Sequence, residues 1–309
     1  MTVWKAINNI SRYRKRYGIR IAIRALIHYA NIAIKKSKIN SSSNKIVEVN
    51  GYKLEVMTND PYGTSSELLM FKSHEPVSTK LISKLLKKGM TCLDIGGNIG
   101  YYVLLENKIL NGEGKIIAIE PSPDNFKQLM RNLELQKTKI VDAYNLAAGN
   151  KDGNLKFLIY EDASNSCMII PEGQESRWPG QIIEVPVRKM DNFLEKLGVT
   201  KIDFIRMDVE GYEKHVLEGL KNTIKKSKPV IYVEVHVNIM GKENTKKFLR
   251  DLESYGYNVT HYIPRDIDVP FIGTINDVKN YNISKVLEML DHGTLPSFLM
   301  LTLMNKNTN

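Results

Sequence analysis

Cysteine is nearly absent: 309 residues hold two, Cys92 and Cys167. Two thiols build no disulfide framework, and Cys92 sits in an apolar run where it reads as a small buried hydrophobe. A reducing compartment is therefore expected. Long apolar runs are also missing. The stretch from Ile19 to Ile34 is broken by Arg20 and Arg24, too short and too charged to span a bilayer, and no small-residue cleavage site follows it. Neither a membrane span nor a secretory signal is expected, and the expected location is the cytoplasm. The first forty residues hold no acid at all, against ten bases: Lys5, Arg12, Arg14, Lys15, Arg16, Arg20, Arg24, Lys35, Lys36 and Lys38. The chain totals 44 basic and 34 acidic residues, so residues 41–309 are formally neutral and the whole +10 belongs to this segment.

Within it Trp4, Ile7, Ile10, Tyr13, Tyr17, Ile21, Leu26 and Ile27 partly follow a helical period against a basic face. Residues 1–44 are expected to form a basic amphipathic helical extension. It would pack on the catalytic body or lie peripherally on an anionic inner membrane face. Nucleic acid is the third partner such a charge allows, and not the expected one.

What is present points to a bound nucleoside. In Thr91-Cys-Leu-Asp-Ile-Gly-Gly-Asn-Ile-Gly-Tyr-Tyr102 an apolar run ends in Asp94, and a turn carrying Gly96, Gly97 and Gly100 leads into a helix. Glycines allow a sharp strand–helix turn with ligand against bare backbone. The nicotinamide pattern Gly-x-Gly-x-x-Gly fails, because Asn98 occupies its second glycine slot. Asp94 would repel a pyrophosphate but would suit an ammonium. Glu120, ending the run Lys115-Ile-Ile-Ala-Ile-Glu120, would accept from two ribose hydroxyls. An acid for an amine, an acid for a ribose and no phosphate site describe S-adenosylmethionine better than NAD.

A second cluster, Asp208-Val-Glu-Gly-Tyr-Glu213, follows the strand Ile202–Met207. Together with Asp94-Ile-Gly-Gly-Asn-Ile-Gly-Tyr-Tyr102, Ile119-Glu-Pro-Ser-Pro-Asp124 and Val233-Glu-Val-His236, it resembles the FkbM family of S-adenosylmethionine-dependent methyltransferases, from about Tyr62 to Leu303. Gly97 departs from the family, where alanine is common. The resemblance implies an α/β Rossmann-like sheet of seven strands, the last antiparallel, and O-methylation of a hydroxyl on a sugar or natural product. Cofactor contacts are expected from Asp94, Gly96, Gly97, Asn98, Gly100, Tyr101, Glu120, Pro121, Ser122, Asn125, Ala147 and Asp208.

Strands alternating with helices independently give a mostly parallel sheet with ligands at its carboxyl ends. A hairpin at Asn50-Gly51 and a helix Pro76–Lys88 fill 45–89, and the cofactor-binding core covers 90–150, with one strand running Ile140–Ala147. An insertion occupies 151–188, where strands Leu155–Tyr160 and Ile182–Val187 bracket a polar loop Glu161–Gly180. The substrate-side core, 189–309, includes one helix Glu213–Ser227. Substrate choice is expected in Tyr62–Glu67, near Asn276–His292 and in the loop, where Ser164, Ser166, Arg177 and Trp178 would suit a sugar.

Transfer of a methyl group from a sulfonium to a hydroxyl needs collinear positioning and a base. His236 is the first candidate base, followed by Asp208 and Glu210, whose alternative role is capping of the following helix. Asp208, Glu210 and Glu234 offer hard oxygen ligands for Mg²⁺, although spacing alone does not bring them together. The expected acceptor is a hydroxyl of a sugar, glycan or glycolipid. The rival acceptors are RNA and another small natural product, and no Asn-Pro-Pro-Tyr string of base methyltransferases occurs.

Overall fold

The computed structural model describes residues 14, 18–36, 44–58, 63–160, 167–170, 179–270 and 278–306. Helix α1 (Ile19–Lys36) comes first. The Asn50-Gly51 turn joins β1 (Asn44–Val49) to β2 (Tyr52–Met57) as an antiparallel hairpin. Next come α2 (Thr64–Phe71), which periodicity did not reveal, and α3 (Pro76–Leu85), opened by its proline.

The main sheet begins with β3 (Thr91–Ile95), followed by α4 (Tyr101–Leu110), β4 (Lys115–Ile119), α5 (Pro123–Leu135) and β5 (Val141–Tyr144). Ser122 caps α5 by accepting from the Asn125 amide. The single strand expected over 140–147 is instead two, because β6 (Ala147–Gly149) leaves for a second sheet. Asn145 fixes the bend: its side-chain amide donates to the carbonyls of Glu120 and Pro121 at 2.8 and 3.1 Å.

The insertion is larger than a strand pair. With β7 (Gly153–Tyr160), β8 (Cys167–Ile170) and β9 (Gly180–Lys189) it forms a four-stranded sheet of order β6-β9-β7-β8. After α6 (Met190–Lys196) the main sheet resumes with β10 (Phe204–Met207). The helix expected over 213–227 is broken into α7 (Glu213–Gly219) and α8 (Lys221–Ser227). The break falls where β6 crowds the helix, since a Cβ on Gly219 would lie 1.9 Å from the Gly149 carbonyl oxygen. Then follow β11 (Val230–His236), α9 (Val237–Met240), α10 (Lys242–Ser254), β12 (Tyr257–Pro264), α11 (Ile283–Asp291) and β13 (Phe298–Asn305).

The seven-stranded sheet has the order β12-β13-β11-β10-β3-β4-β5, and β13 runs antiparallel to both its neighbours. The expected α/β Rossmann-like sheet with its last strand reversed is therefore the observed one. Its strands are apolar on both faces, as a sheet covered on both sides requires. Leu93, Ile95, Ile205, Met207, Val233 and Val235 face one core, shared with the insertion and α7 to α11. Cys92, Phe204, Tyr232 and Met300 face the other, under the hairpin and α3 to α5.

Candidate active site

A cleft opens at the carboxyl ends of β3, β4 and β10. Its lining includes Gly96, Asn98, Glu120, Pro121, Asn125, Ala147, Asp208 and Glu210. The insertion closes one wall with Phe157, Met168 and Ile169. That wall was missed in the sequence, although the apolar string Cys167-Met-Ile-Ile170 inside a polar loop was its signal. Loop residues 161–166 and 171–178, with Ser164, Ser166, Arg177 and Trp178, lie outside the described residues, as do Tyr62 and Asn276.

Glu120 is the best-fixed acid in the cleft. One carboxylate oxygen accepts from the Ser122 amide and the other from the Asn98 amide, both at 2.8 Å. Burial raises its pKa to about 7 against the lowering effect of these two bonds. Gly96 must be bare. It lies at φ +89°, and a Cβ there would sit 1.9 Å from the Asp208 carbonyl oxygen. The Gly96 and Gly97 amides do not point at a ligand, because both donate to the Ile119 carbonyl, at 2.8 and 3.0 Å.

Asp94 is not where its expected role places it. Side chains alternate along a strand, so Ile95 faces the cleft and Asp94 the opposite core. There Asp94 is fully buried and meets Arg206, its register partner on β10. The Arg206 guanidinium donates to Asp94 at 3.3 Å, to the Gly96 carbonyl at 3.0 Å and to Asp208 at 3.0 Å, and stacks on Tyr102 at 4.2 Å. Asp94 thus braces the glycine turn through Arg206 and offers no surface to an ammonium. Gly97, Gly100, Tyr101 and Ser122 likewise do not line the cleft. Tyr101 turns its hydroxyl to Asn50, Thr79 and the His74 carbonyl, and Ser122 is spent on capping.

The second acidic string curls under β11. Asp208 follows β10, and Glu210 takes a left-handed backbone at φ +49°. Glu213, which sequence reasoning left without a role, is fully buried at the start of α7. Its carboxylate accepts from His236 Nδ1 at 2.6 Å and from the Gly211 amide at 3.1 Å. The other ring nitrogen, Nε2, lies 3.2 Å from Glu210 and 4.0 Å from Asp208. Burial would lower the His236 pKa, but the Glu210 and Glu213 carboxylates together raise it well above the usual histidine value. A carboxylate occupies each ring nitrogen, Glu213 at Nδ1 and Glu210 at Nε2, so neither nitrogen faces an acceptor. His236 is therefore not the free base that its position suggested.

Asp208 is partly open to the cleft, and burial raises its pKa although Arg206 opposes this. Glu234, beside it on β11, is buried, which pushes its pKa up to about 8. The groups that converge closely enough to hold a metal are Asp208, Glu234 and His236, with ligand atoms within 4.8 Å of one another. Glu210 is not in that set; it stands at the rim. Behind them Arg265 bridges Glu234 at 3.6 Å and Glu75 at 3.1 Å. Glu67, expected to bear on substrate, instead pairs with His74 at 2.7 Å.

The chain is 26% identical to "Methyltransferase 1" of Beauveria bassiana, over 41% of this chain and 57% of that protein. It is 28% identical to the hexuronic acid methyltransferase AglP of Haloferax volcanii, over 50% of this chain and 59% of that protein. The chain thus spans under two thirds of the length of these relatives. A crystal structure of a methyltransferase FkbM from Methylobacillus flagellatus KT aligns with a TM-score of 0.43 and 17% identity, over 74% of this chain and 48% of that one. The model of the methyltransferase FkbM domain matches residues 94–259, more than half of the chain, so the chain belongs to the FkbM methyltransferase family.

Proposed function

We propose that the protein transfers a methyl group from S-adenosylmethionine to a hydroxyl oxygen of a sugar, glycan or glycolipid. The observation that carries this is the cleft's chemistry. It presents Glu120, Asp208 and Glu210, a glycine turn and an apolar wall, and no Lys or Arg among its described lining residues. Such a lining fits a cationic nucleoside and repels a pyrophosphate. Glu120 would accept from the ribose hydroxyls, Ile119, Ala147 and Phe157 would pack on the adenine, and Gly96, Asn98 and Asp208 would border the amino-acid end. The cofactor supplies an activated methyl group with a neutral leaving group.

The chain's part is then positioning and proton handling. Holding an acceptor oxygen in line can contribute on the order of 7–11 kcal/mol. Asp208 and Glu210 are the open carboxylates of the cleft, and one of them takes the acceptor's hydroxyl proton in this reading. Arg206 donates to Asp208, and Glu213 with His236 fixes the loop beside it. A sugar acceptor also agrees with the stated activity of the Haloferax relative. Helix α1 exposes Ile19, Ile23, Leu26 and Ile27, which suits an acceptor borne on a membrane lipid.

Calorimetry with S-adenosylmethionine tests the first half. Micromolar binding by the full chain, lost at least tenfold in Glu120→Ala, is expected; equal binding by both proteins overturns the site. Mass spectrometry of cellular glycans and glycolipids, with and without the gene, tests the second half. One hydroxyl should lose a methyl group when the gene is removed.

A further inference from the structure

We propose that Asp208, Glu234 and His236 form a divalent-cation site at the floor of the acceptor side of the cleft. The inference deepens the methyl-transfer reading and rests on it, because the cation would face the acceptor.

Sheet register makes the cluster. Met207 pairs with Val233 between the parallel strands β10 and β11, so Asp208 falls beside Glu234. Glu234 and His236 are two apart on β11 and share a face. Three ligand atoms from two adjacent strand ends thereby converge within 4.8 Å. Ligands at neighbouring corners of an octahedral ion lie about 3 Å apart, so binding would draw these atoms together by a modest side-chain adjustment.

Two independent features point to a cation. Glu234 is 9% exposed and accepts no hydrogen bond among the described residues; its nearest cation, Arg265 Nε, stands 3.6 Å away, beyond hydrogen-bond reach. A carboxylate in such surroundings is costly unless a positive group meets it. The second feature is the setting of His236. It is 2% exposed, and Glu213 grips Nδ1 from behind at 2.6 Å, which turns Nε2 toward Asp208 at 4.0 Å and the rim acid Glu210 at 3.2 Å. A carboxylate behind a histidine, fixing the nitrogen that turns forward, is the outer-shell arrangement that orients metal-binding imidazoles. On binding, the cation would displace Glu210 from Nε2, and any proton held there would be released.

The donor set selects the ion. Two carboxylates and an imidazole suit Mn²⁺ better than Mg²⁺, which prefers oxygen alone, or Zn²⁺, which draws more nitrogen and sulfur. Three protein ligands would leave positions of the ion open to the cleft, which Asp208 lines. An acceptor hydroxyl there would become more acidic on coordination.

The test is titration of Mn²⁺ into the chelator-treated full chain, followed by electron paramagnetic resonance of the free ion. One saturable site is expected. Glu234→Gln and Asp208→Asn, which keep side-chain shape, should each weaken it at least tenfold. Glu213→Gln, behind the ligand, should weaken it by about 10–100-fold. Glu288→Gln, on the exposed face of α11, should leave it unchanged. Absence of a saturable site, or wild-type affinity in both Glu234→Gln and Asp208→Asn, overturns the proposal. Calorimetry of S-adenosylmethionine on the same samples reports separately on the methyl-transfer reading.

Discussion

At the residue scale the two acids that first suggested a nucleoside part company. Glu120 stands in the cleft, as its place at the end of an apolar strand implied. Asp94, equally legible in the sequence, belongs to the opposite face, and nothing in its own neighbourhood names Arg206 as its partner 112 residues later. Strand parity was the overlooked signal: Ile95 and Asp94 cannot both face the ligand. The pKa of Glu120, near 7, gives a pH dependence with a definite sign. Ribose hydroxyls donate best to the ionised form, so affinity for S-adenosylmethionine should rise about tenfold from pH 6 to pH 8 and stay level in Glu120→Gln. Stability runs the other way. A carboxyl whose folded pKa exceeds its unfolded one stabilises fully at acid pH, and that stability is lost as pH rises from about 4 through about 7. Urea melts of the ligand-free wild type should lose more stability than Glu120→Gln between pH 5 and pH 8, by on the order of 3 kcal/mol. Parallel pH profiles for the two proteins would show that Glu120 does not titrate in this range.

At the element scale the chain was most readable where one element carries one period. The hairpin at Asn50-Gly51, the parallel strands β3, β4, β10 and β11 and the long helices α5 and α10 all stand where their patterns put them. Errors came where tertiary contacts divide a continuous pattern. Asn145 bends the chain between β5 and β6, and close approach of β6 stops α7 at Gly219. The cluster Asp208–Glu234–His236 was unreadable for a related reason, since it depends on which strands are neighbours. The turn between β3 and α4 was readable because glycine is obligatory there. Gly96→Ala would add a Cβ at 1.9 Å from the Asp208 carbonyl oxygen, on a residue already in a left-handed conformation. The backbone conformation alone costs an alanine about 1–2 kcal/mol, and the clash pushes β10 away from β3. Thermal denaturation should show Gly96→Ala destabilised by at least about 2 kcal/mol, with cofactor affinity falling in parallel. Gly112, at φ +82° with open space around its Cβ position, is the control: Gly112→Ala should pay the conformational cost alone and bind normally.

At the scale of the whole molecule, charge and fold are segregated. The body beyond residue 40 carries thirty-four charges of each sign, and the ten unmatched bases lie in front of it. No helix among the described residues is long and apolar enough to cross a membrane. Helix α1 nonetheless exposes a row of large apolar side chains at Ile19, Ile23, Leu26 and Ile27, while Ala22 and Ala25 are buried. The spacing i, i+4, i+7, i+8 makes one stripe, and Arg20 and Arg24 flank it, a pattern that suits the boundary between lipid headgroups and acyl chains. Trp4, Ile7, Ile10, Tyr13 and Tyr17, read as part of the same period, lie outside the described residues. Each base near an anionic surface contributes about 1 kcal/mol at most, and salt screens that attraction while sparing apolar insertion. Sedimentation with vesicles rich in phosphatidylserine should therefore pull down the full chain at low salt and less of it at high salt, and neutral vesicles should retain little. Ile23→Asp together with Leu26→Asp, which keeps every base, should abolish the binding that survives salt. Pelleting that is equal for the double variant and the wild type at high salt would assign the N-terminal charge to a soluble anionic partner.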